Sequence, residues 1–226
     1  MEKVLTISKD YLLVPVKKEA EKRLLTFWCG TEKIYEFEIS CVDTEETYPE
    51  DFCAVLPVKK WKGQKIRIEG DVCESLLSAV REKESAVREN SGYIHFVPET
   101  GWINDPNGLI YSEGKYHLYF QHNPVDVNWG NMSWGHAEST DLLHWVQKED
   151  VMFPDENGTM FSGCAILNER GLLGLPKDTP VFFYTVAGSA SEWSKGKKFV
   201  QRIAYSTDQG ETLTKIEENV LEHIEA

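Results

Sequence analysis

"HAESTDLLHW", residues 136–145, and "IAYSTDQGETL", residues 203–213, decide how this sequence folds. In each, a β-rich run ends in Ser-Thr-Asp, a short turn follows and a second β-rich run begins. Ser, Thr and Asp all favour turns, so two unrelated meanders sharing one turn type are the alternative. The surroundings repeat as well. Strand-like runs fall at 108–112 (GLIYS), 115–121 (KYHLYFQ), 133–139 (SWGHAES) and 144–148 (HWVQK), and then at 161–167, 180–186, 199–206 and 211–216. Four runs followed by four more, with Ser139 and Ser206 in matching places, are the pattern of propeller blades. Propellers typically close with at least about four blades, and these runs supply about two. The expectation is an all-β chain holding the first part of an incomplete propeller.

Upstream, residues 1–70 read as short strands: "YLLVPV", "RLLTFWC", "IYEFEIS", "FCAVLPV" and "QKIRIEG" are β-branched or aromatic runs set apart by charged and turn residues. A small β-sandwich-like domain is expected there. Residues 71–92 change period: Leu76, Leu77, Val80 and Val87 recur at helical spacing, and Ser91-Gly92 supplies a stop. This segment is read as a helical linker, with the propeller portion running over 93–226.

Composition narrows the function. The 226 residues are 41% hydrophobic and 27% charged, ordinary for a globular protein. The net charge is -13, and residues 91–226 hold 9 basic against 19 acidic groups. That balance repels phosphate backbones, so no nucleic-acid partner is expected. No apolar run approaches the roughly 18 residues of a membrane span, and the first residues lack the pattern of a signal peptide; a cytoplasmic protein is expected. The five cysteines are scattered, with no CxxC pair, which argues against a disulfide framework or a zinc site. His117, His122, His136 and His144 show no metal-ligand spacing, so neither metal nor cofactor is expected.

Four of the seven tryptophans fall between Trp102 and Trp145, around the stretch "GWINDPNGLI", residues 101–110. Pro106-Asn107-Gly108 is turn chemistry. Asp105 is then either a turn carboxylate or a nucleophile held at the start of an inner blade strand. Asn104 beside it could bind a sugar hydroxyl. Other amide, hydroxyl and aromatic groups lie near strand ends: Gln121 in "YFQHNP", Trp129 in "NWGNMSWGHAES", and Phe161 and Ser162 in "MFSGCA". Flat apolar faces beside hydrogen-bonding groups are the parts of a sugar site.

The ordered motifs "WINDPNG", "QHNP", "WGHAESTDLLHW", "FSGCA" and "QRIAYSTDQGET" resemble those of glycoside hydrolase family 32, the invertases, levanases, inulinases and sucrose-6-phosphate hydrolases. The resemblance covers about residues 93–215. It implies a five-bladed propeller with the site in its central funnel, and release of β-linked fructose from sucrose, fructan or fructo-oligosaccharides with retention of configuration. It assigns Asp105 as nucleophile and places Asn104, Gln121, Trp129, Phe161 and Ser162 in the fructose pocket. Cys164 stands where the family often has Ser. The family's Arg-Asp-Pro motif and the Glu-Cys motif that carries its acid/base are not in this sequence. Retaining hydrolysis needs two carboxyl groups about 5 Å apart; Glu138 and Glu156 are the remaining candidates for the second, with no family motif behind either. The chain by itself is therefore expected to be an incomplete enzyme. A non-catalytic carbohydrate-binding fragment and a related five-bladed furanosidase are the alternatives, and unclosed blade edges make self-association a further expectation.

Overall fold

The computed structural model describes residues 1–84, 88–90 and 95–221. The expected Ser91-Gly92 stop, the opening of the 93–226 segment and residues 222–226 lie outside the described residues. The chain divides into two compact units. One holds Met1–Val87, Thr100–Trp102 and Asn123–Asn131, and the other holds Arg88–Glu99, Ile103–His122 and Met132–Ala226.

The N-terminal unit has two small sheets. The first orders β1 (Glu2–Thr6), β6 (Lys65–Gly70), β3 (Lys22–Cys29) and β4 (Glu32–Ser40) as β1-β6-β3-β4. The second orders β5 (Phe52–Pro57), β2 (Tyr11–Val16) and β7 (Arg81–Lys83) as β5-β2-β7. Period-2 alternation puts Leu12, Val14, Val16, Ile66 and Ile68 in the interior. Tyr35 packs against Phe27, Phe37 and Trp61. Its hydroxyl donates to the Pro57 carbonyl of the second sheet at 2.7 Å, so the ring is buried without orphaning its polar end.

Of the helix expected over 71–92, the described residues form α1 (Glu74–Ala79), which buries Leu76 and Leu77, while Val87 lies outside the described residues. Val80 turns extended, and Arg81–Lys83 pair with β2 instead. A helix this short gains little from its own ladder, whereas the free edge of β2 offers main-chain partners. β1, whose sequence carries little apolar signal, forms by pairing with β6.

The second unit holds two consecutive antiparallel sheets. The first orders β8 (Arg88–Asn90), β12 (Trp145–Gln147), β11 (Ser133–Ser139), β10 (Lys115–Asn123) and β9 (Trp102–Ser112) as β8-β12-β11-β10-β9. The second orders β13 (Thr159–Leu167), β14 (Pro180–Ala187), β15 (Val200–Tyr205) and β16 (Thr214–Lys215) in sequence order. These are two blades, each four strands up and down, with β8 added outside the first. Between them Tyr119, Trp134, Met152, Met160, Phe182 and Tyr184 form a buried core.

The repeat seen in the sequence is physical. Ser139 ends the third strand of one blade, and Ser206 follows the third strand of the next. Ser139 Oγ accepts from the Asp141 and Leu142 amides and donates to Asp141. Ser206 Oγ accepts from the Asp208 and Gly210 amides and donates to Asp208. Leu142 and Gln209, three residues past each serine, both have positive φ, 68° and 61°. Each Asp carboxylate also takes an amide from the chain beyond, His144 or Thr212. Side chains thus satisfy the turn's backbone before the fourth strand begins. Among the described residues no helix is long and apolar enough to cross a membrane.

Candidate functional site

Asp105 does not sit in a tight turn. Residues 102–112 form one continuous strand, β9, so the turn expected at Pro106-Asn107-Gly108 is absent. Gly108 keeps the positive φ that such a turn would use, at 47°, but inside the strand. The reason is packing. A Cβ on Gly108 would lie 3.2 Å from the Phe182 ring and 3.3 Å from Ala165, so the glycine lets β9 approach the second blade closely.

β13 carries the facing residues. Its pairing with β14 shifts between Met160 and Gly163, so Phe161 and Ser162 form a β-bulge. A bulge re-aims side chains, and here it points the Ser162 hydroxyl at Asp105, to whose Oδ2 it donates at 2.5 Å. Gly163 is required beside it: a Cβ there would stand 2.0 Å from the Phe183 carbonyl oxygen. The Gly163 amide donates to Asn107 Oδ1 at 3.3 Å, tying the bulge back to β9. Gln121 Nε2 donates to the Met160 carbonyl at 2.8 Å, just before the bulge. Trp134 Nε1 donates to the Phe161 carbonyl at 3.1 Å.

The sequence-derived residues therefore separate by what holds them. Asp105, Asn104 and Ser162 meet directly; among the described residues, the hydrogen-bond partners of Asp105 are Ser162 and Asn104. The Ser162 hydroxyl first, and the Asn104 side chain second, hold the Asp105 carboxyl below the ordinary carboxylate range. It is ionised at neutral pH, solvent-accessible and hydrogen-bonded, and among the described residues no cation pairs with it. That is the state in which a carboxylate can act as a nucleophile. Gln121 is buried and braces the bulge. Phe161 is half-buried with its ring edge-on to Phe199. Trp129 is folded with the N-terminal unit and is 55% exposed. Asn107 and Gly163, which the sequence reading used only as turn or motif residues, are the pins between the two strands. Their signal was present as an amide and a glycine flanking each predicted site residue.

Neither remaining carboxyl joins Asp105. Glu138 is 9% exposed, and its carboxylate accepts from Lys115 at 2.9 Å. It pairs with His117 near the hairpin that joins β9 to β10, whereas Asp105 lies toward the other end of β9. Glu156 is exposed in the Asp155–Gly158 turn.

His117, His136 and Glu138 form a cluster that their sequence spacing does not reveal, with ligand-type atoms within 4.8 Å of one another. His117 Nδ1 and His136 Nε2 are 3.1 Å apart, the ring centroids 5.4 Å apart, and the planes within 13°. The two nitrogens thus face each other along the line of ring centres, which is hydrogen-bond geometry. Bonds of about 2.0–2.1 Å from both nitrogens to one ion would require a bent approach. Burial pushes the His136 imidazolium down to a pKa of about 3, and burial lowers His117 as well. The pair is neutral and shares one N–H.

Comparison with known proteins bears on this arrangement. Residues 95–225 match the glycosyl hydrolases family 32 N-terminal domain. The chain belongs to glycoside hydrolase family 32. Over 124 residues this family 32 chain is 44% identical to a levanase of Bacillus subtilis, covering 54% of the chain and 17% of that protein. It is 41% identical over 137 residues to an extracellular exo-inulinase of Aspergillus awamori, covering 54% of the chain and 26% of the relative. Among solved structures, a β-fructofuranosidase of Schwanniomyces occidentalis complexed with fructosyl-erythritol matches 58% of the family 32 chain and 26% of its own, with 37% identity and a TM-score of 0.50. A family 32 glycoside hydrolase of Bifidobacterium adolescentis matches 99% of the chain and 40% of its own at 22% identity and a TM-score of 0.51, a likeness of fold that includes the N-terminal unit. The chain thus spans about a quarter or less of the length of these curated relatives.

Proposed function

We propose that this chain is the nucleophile-bearing part of a retaining β-fructosidase acting on sucrose or fructans. The observation that carries the reading is the ionised Asp105 carboxylate, held by Ser162 and Asn104 at an accessible position on the inner strand of a family 32 blade. An Asp105 oxygen attacks the anomeric carbon of a fructosyl unit, and the bond from that carbon to the leaving oxygen breaks. The leaving oxygen takes a proton from an acid, and water then displaces the aspartyl ester, returning fructose and the free carboxylate. General acid assistance contributes roughly 10²–10⁴ in rate. Glu138 stands at the wrong end of the blade for that role, so the chain alone is expected to release little fructose from sucrose, inulin or levan.

A fructosyl fluoride tests the attacking group separately, because its leaving group needs no acid. Mixed with the chain, it is expected to leave one fructosyl group on Asp105, seen as a mass increase in the intact protein and mapped to the peptide. Adduct formation undiminished in Asp105→Asn, or none with the parent chain, overturns the assignment. Sugar binding without an adduct is the result expected of a non-catalytic carbohydrate-binding fragment, and preference for arabinan in a substrate panel that of a related furanosidase. The five free cysteines support a reducing, cytoplasmic setting. Exposed Leu109, Tyr111 and Ile166 on β9 and β13 support self-association, which sedimentation velocity reads directly.

A further inference from the structure

Within the second unit, at the end of the blades away from Asp105, lies a cavity of about 760 Å³. Tyr111, in its lining, stands six residues beyond Asp105 on β9, roughly 20 Å along the strand. Leu167, also in the lining, ends β13 well beyond Ser162. Three connections wall the space: the β9–β10 hairpin, the β13–β14 link and the turn after Ser206. The β13–β14 link folds around buried Asn168. Asn168 Nδ2 donates to the Leu172 carbonyl at 2.8 Å and the Pro176 carbonyl at 3.2 Å, and its Oδ1 accepts from the Leu172 amide at 2.8 Å. Its main chain bonds Gly171, Asp178 and Thr179. The Ser206 amide donates to the Pro180 carbonyl at 3.1 Å, and the Tyr119 hydroxyl donates to the Gly210 carbonyl at 3.2 Å. Glu113, Asp178 and Gln209, one in each wall, hold positive φ of 51°, 62° and 61°. Such backbone persists where the surroundings over-determine it.

The charged groups of the lining are Glu113, Asp178 and Asp208 against Lys177, an acidic balance that repels phosphates and other anions. Asp208 is already engaged by Ser206 and Thr212. Thr179, Thr207 and Gln209 add hydroxyl and amide groups, which both donate and accept. The Tyr111 ring is braced by Tyr116, 4.7 Å away between centroids, and the residue is 55% exposed. A flat apolar face among neutral donors and acceptors suits a ring that carries hydroxyls. The volume lies within the roughly 300–1,000 Å³ of ligand sites, and walls fixed in advance lower the entropy lost on binding. We propose that this cavity is a second, non-catalytic site that takes a neutral oligosaccharide, with one sugar ring against Tyr111. Its identification with fructan rests on the fructoside reading above. There it holds a stretch of polymer remote from the bond at Asp105, and two points of attachment raise the effective concentration of that polymer at the protein.

The test follows backbone amide signals of the whole isotope-labelled chain as an inulin-type fructotriose, maltotriose or tetramethylammonium is added. With fructotriose the amides of Asp178, Thr179, Thr207 and Gln209 should move together and saturate, in the parent and in Asp105→Asn alike. Tyr111→Phe, which keeps the ring, should retain the parental dissociation constant, and Tyr111→Ala should raise it at least about fivefold. Tyr111→Ala also removes the packing on Tyr116, so Thr207→Arg serves as a second variant. It fills the cavity from an exposed position and should abolish these shifts while the rest of the spectrum stays that of the folded chain. Cavity amides that stay in place with both sugars overturn the proposal; if those of Asp105 and Ser162 move with fructotriose in the same titration, the fructoside reading stands without it. Shifts that persist in Thr207→Arg, or that tetramethylammonium alone produces, overturn it as well. Shifts with maltotriose and none with fructotriose uphold a carbohydrate site and refute fructan as its ligand.

Discussion

Taking the chain from pH 8 to pH 5 should cost about 2 kcal/mol of folding stability through His136 alone. The imidazole is fully buried, its Nε2 faces His117, and its Nδ1 has no hydrogen-bond partner among the described residues. Burial is the largest cause holding its pKa at about 3, against 6.5 for the free group. A histidine with a depressed folded-state pKa leaves stability untouched above pH 6.5. As pH falls below 6.5 the unfolded chain takes up a proton that the native chain refuses, and stability drops until the native pKa is reached. At pH 5 the difference is RT ln(1 + 10^1.5), about 2 kcal/mol, a large share of a typical ~5–15 kcal/mol total. His117, also lowered, acts in the same direction. The depressed carboxyls of Asp105, Glu82 and Asp208 act below the ordinary carboxylate range, so the window between pH 6.5 and 5 belongs to the histidines. Urea unfolding followed by tryptophan fluorescence at pH 8, 6.5 and 5 measures this in the parent and in His136→Gln, whose amide can still donate toward His117. The parent should lose at least 2 kcal/mol over the range and the variant about 2 kcal/mol less than the parent. Equal pH dependence in the two proteins, or a ring-nitrogen chemical shift showing protonated His136 in the folded state at pH 5, would refute the reasoning.

Removing the Ser162 hydroxyl in Ser162→Ala should raise the Asp105 pKa, because the largest cause depressing it is gone; carboxyl-carbon NMR titration reads it, and an unchanged midpoint sinks the assigned contact. Gly163→Ala should destabilise the chain by about 3 kcal/mol through its clash with the Phe183 carbonyl, visible as a lowered urea midpoint. Gly210→Ala meets two obstacles at once, a φ of 84° and the Tyr119 hydroxyl 2.3 Å from the new Cβ; a melting temperature equal to the parent's would show that the Ser206 turn is not locked against the first blade.

The local sequence determined much of this protein. The β-branched and aromatic run "YLLVPV" became β2 with its expected bounds, and the Ser-Thr-Asp repeats announced two equivalent blades, because strand propensity and turn capping are properties of a few adjacent residues. Tertiary structure decided the rest. Whether Pro106-Asn107-Gly108 turns or extends depended on Phe182 and Ala165, more than fifty residues away, against which Gly108 packs. The helical period after residue 71 yielded to the open edge of β2. His117 and His136 meet only because β10 and β11 pair in one register, and Ser162 reaches Asp105 only because a bulge between Met160 and Gly163 turns it there. Registers and bulges are set by contacts between segments distant in the chain, so local pattern can name the groups of the site while only the assembled sheets bring them within bonding distance.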